Sequence, residues 1–174
     1  MRMPTLIGVC MVMAAIGGCG KAYVAPTSQA TVQVDLANET GIHLSAHYFA
    51  GAEKCTEPQS IGSFINTGET RAIRVAADRP ATLVFQRLGL SQGFAGLTVH
   101  SCILAISFRP NIGSAYTVEL TSDDKRCYLD LKETKNGNST LYKFVKRTYR
   151  TPFFKSQGFC ARLTGAERRS LMGG

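Results

Sequence analysis

Apolar and polar residues alternate along most of the chain in short runs that end at turn-forming residues. In the run Thr31–Asn38, Val32 and Val34 alternate with Gln33 and Asp35. This period of two predicts a strand with one buried face. Similar runs predict further strands at Ile42–Ala50, Ala72–Ala76, Ala81–Leu88, Thr98–Phe108, Ala115–Thr121, Arg126–Lys132 and Thr140–Thr148.

The segments between these runs complete the predicted outline. Lys135-Asn136-Gly137 predicts a hairpin, because Asn-Gly fits the two-residue turn that suits twisted strands. Cys55–Asn66 is predicted to be a loop with a short apolar element at Ile61–Ile65, and Ala166–Met172 to form one or two helical turns. Short strands at this spacing predict an all-β protein. We expect an antiparallel β-sandwich of the immunoglobulin or transthyretin type with about seven to nine strands, preceded by a signal helix and a tether.

Composition agrees with a globular domain and excludes several other classes. The chain has 174 residues, a formal charge of +8 and 44% hydrophobic residues. That apolar fraction is too high for a disordered chain. The longest uncharged apolar run, Leu6–Ile16, is shorter than the roughly 20 residues of a membrane-spanning helix. A polytopic membrane protein, a collagen-like fibre and a disordered tail are therefore excluded.

The start of the chain has the layout of a secretory signal. Arg2 precedes the apolar run Leu6–Ile16, and two glycines and Cys19 follow it. The segment Ile16-Gly17-Gly18-Cys19 resembles the lipobox of bacterial lipoproteins. This resemblance implies that residues 1–18 are removed and that Cys19 carries a diacylglyceryl group and a further acyl chain such as palmitate. An ordinary cleaved signal and an uncleaved buried helix are the alternatives.

The same resemblance predicts where the protein acts. Residues 19–30 would form a lipidated tether, and residues 31–174 the β-sandwich domain with its basic C-terminal tail. Gly20, in place of an Asp, favours the outer membrane of a Gram-negative envelope, with the domain facing the periplasm. Downstream, Phe108–Tyr116 followed by Cys127 is similar to small β-sandwich envelope lipoproteins, which supports the fold rather than any activity.

Four cysteines follow the lipobox: Cys55, Cys102, Cys127 and Cys160. An even number in an exported protein predicts two disulfides. The absence of a C-x-x-C pair removes support for a zinc site. Of the three connectivities we favour Cys55–Cys102 with Cys127–Cys160. The reason is that Cys102 and Cys127 are expected on strands that flank a common middle strand, about 9–10 Å apart, which exceeds disulfide reach.

Basic charge is concentrated at the end of the chain. From Lys125 onward there are 12 Lys and Arg against 3 Asp and Glu, whereas Cys19–Asp124 holds 7 against 9. A solvated strand face is one explanation, and a contact surface is the other. The candidate contact surface consists of Lys143, Phe144, Lys146, Arg147, Tyr149, Arg150, Phe153 and Phe154. Its expected partners are an envelope protein, anionic lipid or peptidoglycan, and not nucleic acid.

No residue pattern predicts catalysis, a metal or a cofactor. The sequence lacks G-x-S-x-G, H-E-x-x-H and a phosphate-binding loop. His43 and His47 would lie about 13 Å apart along a strand, and we expect both to face solvent. Asp123-Asp124 is expected in a tight turn with too few oxygen ligands for Ca²⁺.

These observations predict a membrane-anchored protein with a structural or binding role in the bacterial envelope. One alternative is an inhibitor or immunity lipoprotein, whose loops Gly89–Gly96 or Arg109–Tyr116 would block an exported hydrolase or toxin. Another is an accessory subunit of an envelope secretion system.

Overall fold

The computed structural model describes residues 21–27, 30–40, 42–93, 96–123, 126–150 and 158–172. The predicted signal helix, Cys19, Phe153 and Phe154 lie outside these residues. The strands, in chain order, are β1 (Lys21–Ala22), β2 (Thr31–Asn38), β3 (Leu44–Gly51), β4 (Thr56–Phe64), β5 (Glu69–Ala76), β6 (Ala81–Gly93), β7 (Gly96–Phe108), β8 (Ala115–Ser122), β9 (Cys127–Lys135), β10 (Asn138–Leu141) and β11 (Val145–Lys146), followed by helix α1 (Gly165–Met172).

The strands form two sheets that share one core. Sheet A has the order β1-β4-β3-β6-β7-β11, and sheet B has the order β10-β9-β8-β2-β5. The core between them is filled by large side chains that are fully buried, among them Phe85 and Phe108 of sheet A and Tyr116 of sheet B. Each such side chain contributes about 1.5–3 kcal/mol through burial. The predicted all-β class is confirmed, and β2 begins and ends where its alternation predicts.

Strand pairing departs from the predicted antiparallel arrangement. β2 runs parallel to β8, and β1 runs parallel to β4, so both sheets are mixed. The number of strands in the described residues, eleven, also exceeds the predicted range. Hydrophobic alternation reports which face of a strand is buried. It carries no information on which strand lies alongside or in which direction that strand runs.

The predicted loop Cys55–Asn66 was wrong, because most of it forms β4 beside β3. Its sequence lacks alternation for local reasons. Pro58 cannot donate to a ladder, and it lies just outside the two residues of β4, Gln59 and Ser60, that pair with β1. Gly62 adopts a φ of 121° where the register shifts between Ala46 and His47, as expected for a β-bulge.

The predicted strand Thr140–Thr148 is divided between the two sheets. The hairpin at Asn136-Gly137 is confirmed, and both residues have positive φ, at 52° and 79°, as a type I′ turn requires. It joins β9 to β10 in sheet B. The chain then crosses to sheet A at Tyr142, whose hydroxyl donates to the Arg109 carbonyl at 2.7 Å, and continues as β11.

The C-terminal segment covers the outer face of sheet A. Tyr149, Phe159 and Cys160 pack on Phe49 and on neighbouring small side chains of the sheet. As a result β7 is buried on both faces from Ala105 to Phe108, which accounts for the absence of polar alternation at the end of its apolar run. Gly158 permits this close approach, because it has a φ of 76° and an added Cβ would lie 2.4 Å from the Lys54 carbonyl.

Helix α1 ends this segment and confirms the predicted helical turns. Thr164 and Glu167 form a capping box at its start. The Glu167 N–H donates to the Thr164 hydroxyl at 3.3 Å, and the Thr164 N–H donates to the Glu167 carboxylate at 2.7 Å. No helix in the part of the chain described here combines the length and the apolar character that crossing a membrane requires.

Two disulfides form, but their connectivity differs from the favoured one. Cys55 pairs with Cys160 at a Cα–Cα distance of 5.2 Å, and Cys102 pairs with Cys127 at 6.1 Å. The predicted separation of Cys102 and Cys127 was wrong because they do not share a sheet. Cys102 lies on β7 of sheet A and Cys127 on β9 of sheet B, so the bond joins the two sheets at one side of the core.

The folded part of the chain includes residues before the predicted start of the domain at residue 31. Residues 21–23, which fall in the predicted tether, are docked on the protein. Lys21 and Ala22 pair with β4, and Tyr23 packs edge-on against Tyr48 at 5.4 Å between ring centroids. The Tyr23 hydroxyl donates to the Arg74 carbonyl. Burial raises the pKa of Tyr23 to about 12.

Candidate functional site

Two strand edges on the same side of the molecule have stretches that no strand of the described residues pairs with. β7 pairs with β6 along its whole length. On the other side of β7, β11 pairs only with Ser107 and Ile106. Within the described residues, no strand pairs with Gly96–Leu104 on that side. In sheet B, β10 pairs with 132–135 of β9, and the Tyr142 N–H donates to the Leu131 carbonyl at 2.8 Å. Of the strands that the structure describes, none pairs with 127–131 on that side. The disulfide between Cys102 and Cys127 joins these two edges.

A cleft of about 260 Å³ lies between these edges, and we call it the edge cleft. Leu104, Leu129 and Phe144 provide its apolar surface, and each also packs against the core. Ile103 and Tyr128, at its opening, are 47% and 46% exposed. These values are high for large apolar side chains and are typical of a contact surface when such residues adjoin a cleft.

Polar groups surround the opening of the edge cleft. Lys146 and Asp130 both line it, and both are exposed. The Tyr128 hydroxyl donates to the Asp123 carboxylate at 2.7 Å, which orients the ring. This hydrogen bond to the carboxylate raises the pKa of Tyr128. The arrangement offers apolar contact and charged groups, but no nucleophile paired with a base.

Arg147 lines the edge cleft, but its side chain is buried and bonded to other parts of the protein. It is 8% exposed, and its guanidinium donates to the Ala52 carbonyl at 2.9 Å, the Glu53 carbonyl at 2.6 Å and the Ser107 hydroxyl at 3.0 Å. It also donates to the Ala161 carbonyl. Burial lowers the pKa of Arg147. These contacts tie β11 to the β3–β4 turn and to the C-terminal segment.

The predicted contact surface is therefore not one continuous face. Phe144 and Lys146 belong to the edge cleft, whereas Lys143 lines a separate depression beside Tyr142 and α1. Tyr149 stacks on Phe159 at 5.9 Å and is half-buried. Arg150 is exposed. The inclusion of Arg147 as a surface residue was wrong, because its side chain satisfies backbone carbonyls inside the protein.

Sequence reasoning missed Ile103 and Tyr128. Ile103 stands within an apolar run, which gives no sign that one member is exposed. Tyr128 had a usable signal, because Tyr128 and Asp130 alternate with the buried Leu129 and Leu131 along β9.

The predicted histidine and metal-ligand positions fall away from the edge cleft. His43 is exposed, but His47 is half-buried, and burial lowers its pKa. The expectation that both face solvent was therefore wrong for His47. Among the residues with described positions, no three His, Cys, Asp or Glu side chains converge as metal ligands would.

The two loops predicted to block a target differ in how far they project from the protein. Arg109–Tyr116 is held from within, because Arg109 donates to the Asp78 carbonyl at 3.1 Å and Tyr116 is fully buried; only Ile112 is strongly exposed among its large apolar residues. The described part of Gly89–Gly96 instead belongs to β6 and β7, which pair as a hairpin up to Gly93 and Gly96. β3 pairs with β6 only as far as Gln86, so the hairpin extends beyond the rest of sheet A.

Comparison of the chain with protein-family models, with curated proteins and with solved structures gives no significant match.

Proposed function

We propose that this protein is a lipid-anchored binding module of the bacterial outer membrane that faces the periplasm and performs no catalysis. The observation that carries the proposal is the pairing of all four cysteines downstream of the lipobox in two disulfides. Such bonds persist in exported proteins and are rare in the cytosol. The fold we propose is an immunoglobulin- or transthyretin-like sandwich built from the two sheets.

The position of β1 supports a defined orientation for such a module. Gly20 is the only residue between Cys19 and β1 in the sequence. β1 lies at one edge of sheet A, and β7 is its fourth neighbour. At about 4.8 Å per strand, the edge cleft is about 20 Å from the anchored edge. An acylated Cys19 would therefore hold the domain close to the bilayer with the edge cleft turned away from it.

Replacement of the lipid-bearing residue tests the anchor. Cys19→Ser should move the protein from the membrane fraction to the soluble periplasmic fraction and should abolish incorporation of a labelled fatty acid. Cys10→Ser, within the same leader, is the matched control and should change neither result. Membrane association and lipid labelling that persist in the Cys19→Ser protein would overturn the proposal.

A second candidate function is inhibition of an exported hydrolase or toxin, and the extended β6–β7 hairpin favours it. A two-stranded projection of this kind can enter the active site of another protein while its own sheet stays rigid. Deletion of residues 90–98 with a short Gly-Ser replacement should then abolish protection of cells against the toxin while membrane anchoring is retained. Unchanged protection would exclude the hairpin as the inhibitory element.

A further inference from the structure

The direction of β1 shows which end of the sheets is nearest to the proposed lipid anchor. β1 runs parallel to β4, and β4 and β6 are both antiparallel to β3, so β1 and β6 run in the same direction. β7 is antiparallel to β6 and therefore finishes, at Phe108, at the end of the sheet where β1 and β6 begin. The amino end of β1 at Lys21 is consequently directed towards the loop that follows β7.

Helix α1 lies across the same end of the molecule. Arg168, midway along the helix, donates to the Glu53 carboxylate in the turn between β3 and β4. At the last helical residue, the Met172 carbonyl accepts a hydrogen bond at 3.0 Å from Arg109, which follows β7. Both connections lie at the end where β1 and β6 begin, because β3 and β7 finish there. Leu171 is the buried residue of the helix, and most of its other side chains are exposed.

A depression of about 210 Å³ lies between α1 and the segment that crosses from sheet B to sheet A. Arg109 and Lys143 line it, and none of the described residues that line it is acidic. Arg109 donates to backbone carbonyls, and within the described part of the chain neither Arg109 nor Lys143 forms an ion pair. Glu133, which accepts from the lining residue Asn111 at 3.1 Å, is half-buried and lies outside the lining. The depression therefore presents two cationic groups that no lining carboxylate neutralises.

Three exposed apolar side chains accompany this depression. Leu141 lines it and is 74% exposed. Ile112 and Met172, each next in the chain to a lining residue, are 59% and 54% exposed. We call Arg109, Ile112, Leu141, Lys143 and Met172 the anchor face. Basic groups beside exposed apolar side chains are typical of surfaces that lie in the interface of an anionic membrane.

The distance to the anchor identifies the occupant of the anchor face. Through β4, β3 and β6, Lys21 lies level with Ile106 of β7. Arg109 is three residues beyond Ile106, which is about 10 Å along the strand direction. Cys19 precedes Lys21 by two residues, and an extended chain of that length reaches about 7 Å. A bilayer attached at Cys19 would therefore meet the domain at about the level of Arg109 and would leave no room for a protein partner at the anchor face.

We propose that the anchor face rests on the anionic surface of the membrane that holds the lipid anchor. Arg109 and Lys143 contact lipid phosphates, and Ile112, Leu141 and Met172 enter the interfacial region between the headgroups. This inference rests on the proposed lipid anchor and adds the orientation of the domain to it. The edge cleft stays clear of the bilayer, because its residues on β9 lie at the start of that strand, and β9 ends beside the anchor face.

Vesicle binding by a protein without acyl chains tests the anchor face separately from the anchor. The mature protein with Cys19→Ser, in its oxidised form, is sedimented with vesicles made of equal parts phosphatidylglycerol and phosphatidylcholine, and with vesicles of phosphatidylcholine alone. We expect binding to the anionic vesicles, with less binding as the salt concentration rises, and little binding to the neutral ones. No binding to the anionic vesicles, or equal binding to both kinds, would overturn the proposal.

Two charge reversals of equal size show whether a defined face is responsible. Lys143→Glu changes the anchor face, whereas Arg126→Glu changes an exposed residue just before β9, about 30 Å from the other end of that strand. One basic group near an anionic surface strengthens binding about fivefold, and the introduced carboxylate adds repulsion. Lys143→Glu should therefore weaken vesicle binding about tenfold or more, and Arg126→Glu by less than about twofold. Equal weakening by the two variants would overturn the proposal, because net charge rather than one face would then determine binding.

A substitution that keeps the net charge tests the apolar contribution. The Leu141 side chain is 74% exposed on the edge strand β10, so folding does not depend on it. Leu141→Gln should weaken binding to the anionic vesicles about threefold or more, because less apolar surface is buried in the interface. Unchanged binding would overturn the proposal. Incorporation of a labelled fatty acid reports on the lipid anchor alone, so either proposal can fail while the other stands.

Discussion

Arg147 provides the most direct test of how the C-terminal segment is held on sheet A. Arg147→Ala removes hydrogen bonds to three backbone carbonyls and to Ser107. Four such bonds at about 1 kcal/mol each predict a loss of about 4 kcal/mol in the free energy of unfolding. The acceptors remain buried, so the loss is not recovered unless water enters the space left by the side chain. This is a large part of the 5–15 kcal/mol typical of a domain.

Urea unfolding of the oxidised protein, followed by circular dichroism because the chain has no Trp, measures this loss. With a slope of about 2 kcal/mol/M, the midpoint should fall by about 2 M. Arg147→Lys keeps the charge but lacks the planar fork, and should recover about half of the loss. Lys146→Ala, at the exposed neighbouring position, is the control and should shift the free energy by less than about 0.5 kcal/mol. A shift of the midpoint below about 0.5 M for Arg147→Ala would show that these hydrogen bonds do not hold the C-terminal segment on sheet A.

Three further predictions concern the core and the covalent bonds. The Tyr116 hydroxyl donates to Glu133 and accepts from the Asn111 N–H, both at 2.8 Å, so Tyr116→Phe should cost about 1–2 kcal/mol in urea unfolding; no change would mean that water replaces both bonds. Burial acts to raise the pKa of Glu133, but its hydrogen bonds outweigh this effect and hold the pKa below the ordinary 4.5. Stability from this carboxylate is therefore present above pH 4.5 and is lost as the pH falls through the lower folded-state pKa. Glu133→Gln should make the urea midpoint less dependent on pH between about pH 5 and 3. Of the two disulfides, the partly exposed Cys102–Cys127 should be reduced and alkylated before the other, whose sulfurs are buried; peptide mapping after limited reduction would contradict this if the order were reversed.

The residues of β2 show how much local pattern determines. Alternation along Thr31–Asn38 specified a strand and its buried face, because a period of two can bury only one side. Asn136-Gly137 specified a hairpin, because few residue pairs adopt positive φ twice in succession. The even number of cysteines after the predicted secretory signal indicated two disulfides, and two disulfides form. Each of these properties depends on neighbouring residues or on simple counting.

Tertiary structure alone decided the features on which the candidate site depends. Whether Cys102 can reach Cys127 depends on the sheet to which each strand belongs, and strand partners are chosen by contacts between residues far apart in the sequence. Ile103 and Ala105 are both apolar, yet Ile103 is 47% exposed and Ala105 is 5% exposed. The reason is that the C-terminal segment packs on Ala105 and does not reach Ile103. Arg147 resembles any surface arginine in the sequence. Its burial follows from acceptors that three segments bring to the same point: the carbonyls of Ala52 and Glu53, the Ser107 hydroxyl and the Ala161 carbonyl.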